Sequence, residues 1–445
     1  MTSQKTRRRV TLAAAAIIFI MFGSAVASAD RVRLDVELST PVMLERTVQT
    51  AYLKIGLTGF EIQEGDTRTP VNVAIVLDRS GSMSGQKMRK AKEAAIMAVD
   101  RLGPDDIVSI VAYNHTVKVL IPATKVRNRS EIYRQINSLH SSGNTALFAG
   151  VSKGAYEVRK FIERNRVNRV ILVSDGLANV GPSSSGELGS LGWSLAKEGI
   201  SVTTIGLGHD YNEDLMFNLA RQSDGNHAFA ENATDLARIF SYEFGDVLSV
   251  VAREVVVKIR CAPGIRPIRV LGRHAEINGR KIVANLNQIY SNQEKFLLVE
   301  VEIPSRSAGT NQEVATIDVH YANTVSQTTD MLGNTVIASF SNSLALVEKR
   351  RNKSVMVTSI DLLANENNKS ALALRDQGKI AEAEQVLEDN YNYLNKEASK
   401  YKSKKLKKRA RANYDDKANL APSKWKKQRK AMRDNQFEAD MQQAW

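Results

Sequence analysis

The sequence predicts a doubly wound α/β domain, inserted in or followed by an antiparallel β-sandwich domain, with a helical hairpin and a basic tail behind them. Between about 71 and 250, short continuous apolar runs alternate with segments of helical periodicity. This alternation is typical of parallel strands covered by helices on both faces. On either side of it, apolar and polar residues alternate with the period of two that indicates half-exposed strands. From 343 onward the period is again helical.

Within the α/β segment, residues 71–77 form the first buried strand and residues 86–102 the first helix. Further strands are predicted at 106–113, 117–121, 170–174, 202–207 and around Ala228. Helices are predicted at 130–139, 147–165, 188–198, 212–222 and 233–248. The predicted domain therefore spans 71–250.

Two regions of period two flank this domain. Residues 30–70 contain strands without enough apolar residues for a core of their own, and 251–342 contain at least five strands separated by turns rich in Gly, Asn and Ser. We expect the early strands to pair with the later sheet, which would make the α/β domain an insertion.

The last 103 residues divide by composition. Residues 343–397 predict a helical hairpin that turns at Gly378, and we interpret it as a packing element because a lone helical repeat is unstable. Residues 398–445 form the basic tail. It is either a solvated helix face or disordered tail, or a contact for an anionic membrane or cell-wall surface, and nucleic acid is the less favoured partner. The candidate contact residues are Lys404, Lys405, Lys407, Lys408, Arg409, Trp425, Lys426 and Lys427.

Residues 1–29 have the pattern of a signal peptide. Basic residues from Lys5 to Arg9 precede an apolar run at 10–22, and Ala27-Ser28-Ala29 matches a cleavage site. We therefore expect export to the periplasm or beyond the cell, with membrane association if the segment stays attached as an anchor. Cys261 is the only cysteine, which excludes an intramolecular disulfide and suggests a buried thiol.

The chemistry-bearing motif is Asp78-Arg79-Ser80-Gly81-Ser82, directly after the first buried strand. Ligands of doubly wound sheets bind beyond the carboxyl ends of the strands, where the strand order reverses. Thr145, ahead of a helix, and Asp175, after another buried strand, are expected at the same edge. Two carboxylates and three hydroxyls are hard oxygen ligands that suit Mg²⁺, with Mn²⁺ or Ca²⁺ as alternatives.

Asp78, Ser80, Ser82, Thr145 and Asp175 together resemble the metal-ion-dependent adhesion site (MIDAS) of von Willebrand factor type A domains, whose fold is Rossmann-like. The flanking regions resemble, more loosely, secreted bacterial relatives of inter-alpha-trypsin inhibitor heavy chains. The resemblance implies that Ser80 and Ser82 coordinate the ion directly, Thr145 directly or through water, and the two acids through water. It leaves one coordination position for an Asp or Glu of a protein partner.

This resemblance implies a non-enzymatic binding module for adhesion or assembly. One alternative is an assembly factor anchored by the basic tail. A metal-assisted hydrolase is the weaker alternative, since it needs a positioned general base that the sequence does not reveal. Among the six histidines, His209 and His227 follow strands, which favours a solvent-facing or capping role and leaves the rim of the metal site as the alternative for one of them.

Overall fold

The computed structural model describes residues 31–62, 68–163 and 165–442. The predicted signal peptide, residues 1–29, lies outside the described residues. The described chain begins with three strands, β1 (Val32–Leu38), β2 (Val42–Leu44) and β3 (Gln49–Gly59). β1 and β3 pair antiparallel.

The α/β domain follows and contains one six-stranded sheet. Its strands are β4 (Val71–Asp78), β5 (Ile107–Tyr113), β6 (Val117–Lys125), β7 (Val167–Ser174), β8 (Ile200–Leu207) and β9 (His227–Ala230). Its helices are α1 (Gln86–Asp100), α2 (Arg129–Asn137), α3 (Leu147–Arg159), α4 (Ser185–Lys197), α5 (Glu213–Gln222) and α6 (Leu236–Leu248). The strand order is β6-β5-β4-β7-β8-β9, and every neighbouring pair is parallel except β5 with β6.

Both faces of this sheet are buried. Apolar side chains of α1, α2 and α6 cover one face, and those of α3, α4 and α5 cover the other. All eight residues of β4, of β7 and of β8 are buried, which explains the short apolar runs within them, such as 73–77 and 170–173. The doubly wound fold predicted from the sequence is confirmed.

A β-sandwich follows the α/β domain. Its strands are β10 (Val250–Cys261), β11 (Arg266–Leu271), β12 (Glu276–Asn278), β13 (Lys281–Tyr290), β14 (Glu294–Ile303), β15 (Asn311–Asn323) and β16 (Thr329–Ser341). One sheet has the order β1-β3-β14-β11 and the other β12-β13-β10-β15-β16-β2. Their inner faces share a single apolar core. Because β3 pairs with β14 from Gln49 to Thr58, the α/β domain is inserted between strands of one sheet.

Five helices follow the sandwich in the described residues. They are α7 (Leu344–Arg350), α8 (Lys353–Asp376), α9 (Ile380–Tyr401), α10 (Lys404–Ala418) and α11 (Pro422–Met441). The region predicted as a basic tail is therefore folded into α10 and α11, and this is a correction. α10 buries Leu406 and Ala410 against α8 and α9, while α11 buries Phe437 and Met441 against α5. The apolar residues at helical spacing in this region are few and are outnumbered by lysines and arginines, so the sequence pattern did not indicate packed helices.

α8 and α11 attach these helices to the rest of the molecule. Val355 and Leu362 of α8 pack on Leu298 of the sandwich. The ring of Phe437 in α11 meets that of Phe217 in α5 edge to face, with centroids 5.2 Å apart. Within the residues that the structure describes, no helix is long and apolar enough to cross a bilayer. Cys261 is fully buried, as predicted, and burial raises its thiol pKa to about 11.

Candidate metal site

The carboxyl ends of β4 and β7 lie side by side. Leu77 is in register with Val173, so Asp78 and Ser174 end neighbouring parallel strands. After β4 the chain continues to β5 on one side of it, whereas β7 lies on the other. The gap between β4 and β7 is therefore the point where the strand order reverses, and side chains that follow these strands converge there.

The Asp78 carboxylate organises the first loop. One oxygen accepts a 2.7 Å hydrogen bond from the backbone N–H of Ser80, and the other accepts a 2.6 Å bond from the Ser174 hydroxyl. The hydroxyls of Ser80 and Ser82 then lie 3.1 Å apart. Asp78 is thus held by hydrogen bonds from β7 and from the loop after β4. These bonds fix the loop with the Ser80 and Ser82 hydroxyls next to each other.

Asp175 and Thr145 join the same cluster. Ser82 donates a 2.7 Å hydrogen bond to Asp175, which links the first loop to the end of β7. The Thr145 backbone N–H donates to the Asn179 side chain at 2.8 Å, and the Gly81 N–H donates to the Gly143 carbonyl at 2.9 Å. The three loops are therefore tied together by hydrogen bonds of their own.

Gly176 marks the centre of the cluster. A Cβ atom placed on Gly176 would lie 3.0 Å from the Thr145 hydroxyl oxygen, 3.4 Å from that of Ser82 and 3.7 Å from that of Ser80. The three hydroxyls thus surround one point, which a glycine leaves open. A side chain at this position would fill the space that the hydroxyls face.

The two acids lie behind the hydroxyls. Asp78 and Asp175 have no solvent exposure. Burial raises the pKa of Asp78, with the nearby Asp175 carboxylate adding to the rise, while hydrogen bonds from Ser174 and Ser80 act in the opposite direction. Lys87, in the first turn of α1, forms an ion pair with Asp175. Two buried carboxylates facing one lysine leave a local excess of negative charge.

The donor set fits a small, hard cation. Within 31–62, 68–163 and 165–442 there is no group of three or more His, Cys, Asp or Glu that could hold a metal ion. A cation at Gly176 would therefore depend on the hydroxyls of Ser80, Ser82 and Thr145, with Asp78 and Asp175 as the charged partners. Oxygen-only ligands of low total charge are those that Mg²⁺ prefers.

The sequence of the α/β domain matches a known domain family. Residues 72–241 match the von Willebrand factor type A domain family. These residues form a von Willebrand factor type A (VWA) domain.

Relatives of the chain that contains this VWA domain include bacterial and animal proteins. The uncharacterised protein sll0103 of Synechocystis is 27% identical over 279 residues, which cover 60% of this chain and 66% of the relative. YfbK of Escherichia coli is 26% identical, covering 43% and 34%. Mouse inter-alpha-trypsin inhibitor heavy chain H2 is 29% identical, covering 35% and 17%. The chain thus spans about two thirds of the first relative and about a third or less of the other two.

Solved structures extend the likeness beyond the VWA domain. A von Willebrand factor type A protein from Catenulispora acidiphila superposes with a TM-score of 0.69 at 15% identity, covering 85% of this chain and 90% of that chain. The ArnB paralog VWA2 from Sulfolobus acidocaldarius gives 0.64 at 16% identity, covering 92% and 98%. At this identity the likeness shows a shared fold for the VWA domain together with its flanking regions.

The structure brings all five predicted residues of the VWA site together and adds three that the sequence analysis did not single out. Ser174 holds Asp78, Lys87 pairs with Asp175, and Asn179 holds Thr145. Ser174 could have been found from its place directly before Asp175 at a strand end. The sequence carries no comparable signal for Lys87, because its role depends on the direction in which α1 leaves the loop.

Of the two histidines considered for the rim, His227 lies elsewhere. His227 is buried beside Phe217 and Phe437, and burial lowers its pKa to about 4. His209 packs against Phe229. His115 lies against Gly143, in the loop that leads to Thr145.

Most of the predicted surface-contact residues are engaged within the molecule. Arg409 and Lys405 pair with Asp361, Lys426 with Asp210, and Lys427 with Glu231. Trp425 donates to Asp376 and lies under the guanidinium of Arg375. Three lysines of α10 stay exposed without an ion pair among the described residues, namely Lys404, Lys407 and Lys408.

Proposed function

We propose that this protein is a non-enzymatic binding module whose VWA domain holds Mg²⁺ and uses it to bind an Asp or Glu carboxylate of a protein partner. The convergence of three hydroxyls on the open point at Gly176, with two buried carboxylates next to them, is the observation that carries the proposal. A chain that only needed a turn at this position would not have to bury two acids.

The neutral and the charged residues of the site have different roles in this proposal. Ser80, Ser82 and Thr145 offer neutral oxygens to the ion, while Asp78 and Asp175 supply the charge that retains it. Because the nearest donors are neutral, the bound ion would keep most of its charge for an incoming ligand. A partner carboxylate supplies that ligand and gains a charge-assisted bond in a partly dehydrated site.

The first experiment is calorimetric titration of Mg²⁺ and Mn²⁺ into the chain without its predicted signal peptide. We expect one site in the unchanged protein and none in Thr145→Ala or Asp175→Ala. Asn144→Ala is the control, since Asn144 is the exposed neighbour of Thr145 in the same loop. Binding that survives both site substitutions would contradict the proposal.

The partner is then sought by its dependence on the ion. Cross-linking in the periplasmic or extracellular fraction, with and without a chelator, should capture a protein only when Mg²⁺ is present. We place the protein in these compartments because of the predicted signal peptide at 1–29. A partner that is captured equally with chelator and with the Asp175→Ala variant would exclude the metal site as its contact.

A second function concerns the exposed face of α10. Lys404, Lys407 and Lys408 follow the helical spacing of three and four, so their ammonium groups lie on one face. Such a face suits an anionic lipid surface, where each lysine contributes about 1 kcal/mol. Co-sedimentation with vesicles containing phosphatidylglycerol should fall when all three become Gln and at high salt. Unchanged co-sedimentation of this variant would eliminate the function.

A further inference from the structure

Lys87 reaches from the first turn of α1 to the metal site. Its ammonium group is ion-paired with Asp175. The side chain of Lys87 is 30% exposed, whereas Asp175 is fully buried. The lysine therefore approaches from the solvent side, and it meets the carboxylate that also accepts the Ser82 hydroxyl.

The neighbouring β8–α5 loop lies beside the Lys87 ammonium group. Gly208 has a positive φ of 72° and no side chain, and a Cβ atom placed there would lie 3.7 Å from the Lys87 ammonium nitrogen. Asp210, whose pKa is lowered mainly by the hydrogen bond from Lys426, is paired with that lysine of α11 at 2.5 Å. Asp175 is thus the acid that Lys87 contacts.

The charges of the site then give Lys87 a definite role. Asp78 and Asp175 supply two negative charges in their ionised forms, and Lys87 offsets one of them. A divalent cation would bring such a site to a net charge of about +1, whereas without Lys87 the loaded site would be near neutral. A lysine here therefore weakens the attraction for the metal and strengthens the attraction of the loaded site for a carboxylate.

We propose that Lys87 sets this balance in the VWA site, reducing the affinity for the cation and increasing the affinity of the cation-loaded protein for acidic ligands. The inference rests on the proposed function, since it requires that a divalent cation binds at Gly176. It makes Lys87 a residue that determines ligand specificity without touching the ligand, because its effect passes through the net charge of the site.

The test compares two lysines of the same helix. Lys87→Gln removes the charge but keeps a hydrogen-bond donor for the buried Asp175. Lys90→Gln removes the same charge one turn later, where the ammonium pairs with Glu93 instead. In calorimetric titrations of Mn²⁺ we expect Lys87→Gln to bind on the order of tenfold more tightly than the unchanged protein. Lys90→Gln should bind like the unchanged protein, and so should Lys87→Arg.

The second measurement uses acetate as the acidic probe. Acetate is titrated into the Mn²⁺-loaded protein, and the relaxation of water protons reports the displacement of water from the ion. Lys87→Gln should need about threefold or more acetate for half of the effect, while Lys90→Gln should not. Thermal unfolding of each variant, with and without Mn²⁺, verifies that all the proteins compared are folded.

The outcomes separate the two proposals. If the unchanged protein binds neither Mg²⁺ nor Mn²⁺, both the proposed function and the role of Lys87 are overturned. If it binds Mn²⁺ but Lys87→Gln binds no more tightly than Lys90→Gln, only the role of Lys87 is overturned. The same holds if Lys87→Arg behaves like Lys87→Gln, because the effect would then come from shape and not from charge.

Discussion

The Ser174 hydroxyl donates a 2.6 Å hydrogen bond to the carboxylate of Asp78 across the gap between β7 and β4. The bond joins the two strands at the point where the strand order reverses, and the Asp78 carboxylate also accepts the Ser80 N–H. The first loop of the site is therefore held in shape by protein groups alone, which reduces the reorganisation that a bound ion would require.

Ser174→Ala tests this support. The variant removes a bond that keeps the pKa of the buried Asp78 from rising further, so the carboxylate becomes a poorer partner for a cation. We expect the affinity for Mg²⁺ to fall by roughly tenfold or more, measured by calorimetry at constant pH. Ser109→Ala, at a buried serine of β5, is the control. Equal affinities of the two variants would rule out a role for the Ser174 bond.

Gly176→Ala tests whether the point between the hydroxyls is the place of the ion. The added methyl group lies within 3.4 Å of both Thr145 and Ser82 hydroxyl oxygens, and it occupies the space that the donors face. We expect Mg²⁺ binding to be lost with little change in the midpoint of thermal unfolding without metal. Gly186→Ala, which meets no atom within 4 Å, should keep binding. Normal Mg²⁺ binding by Gly176→Ala would show that the ion binds at another place.

Arg169→Met tests the connection between the VWA domain and the sandwich. Arg169 and Glu243 are both fully buried and ion-paired, and the Arg169 guanidinium also donates to the Tyr290 hydroxyl at 2.7 Å. Removing the arginine leaves Glu243 buried without its countercharge, so we expect the free energy of unfolding to fall by about 3–5 kcal/mol. Chemical denaturation measures the loss. Arg159→Met, which breaks an exposed pair with Glu198, should lose about 1 kcal/mol or less.

Asp434→Asn tests the pH dependence of α11. Burial, with the neighbouring Glu438 carboxylate, raises the pKa of Asp434 to about 8 from an ordinary value of 3.8. The folded protein therefore binds this proton more tightly than the unfolded chain does. Its stabilising contribution is complete below pH 3.8 and is lost as the pH rises through 8.

We accordingly expect the free energy of unfolding of the unchanged protein to fall by at least about 1 kcal/mol between pH 6 and pH 9. In Asp434→Asn, which cannot ionise, the fall should be smaller. Asp389→Asn, at an exposed acid of α9, should follow the unchanged protein. Denaturant titrations at several pH values measure all three proteins. Parallel profiles for Asp434→Asn and the unchanged protein would show that Asp434 does not control this stability.

The sequence by itself determined the class of the fold and the composition of the site. Buried parallel strands leave continuous apolar runs, and half-exposed strands leave a period of two, so both sheet types could be distinguished from local pattern. Asp78, Ser80, Ser82 and Asp175 could be grouped in advance because strand ends of a doubly wound sheet meet at one edge, and Thr145 joined them as a hydroxyl ahead of a helix in the same fold. The fold class needs only local periodicity and one general rule of topology, while the assignment of the five residues to one metal site also drew on the resemblance to a known adhesion site.

Only the tertiary structure decided what the charged residues do. A run of lysines and arginines looks the same in sequence whether it is solvated or paired, and α11 directs Lys426 and Lys427 to Asp210 and Glu231, more than 190 positions earlier in the chain. Lys87 belongs to the candidate metal site for the same reason, since the direction of α1 brings its ammonium group to Asp175. Ion pairs between distant segments depend on how helices and strands pack together, and this packing produces no periodic pattern in the sequence.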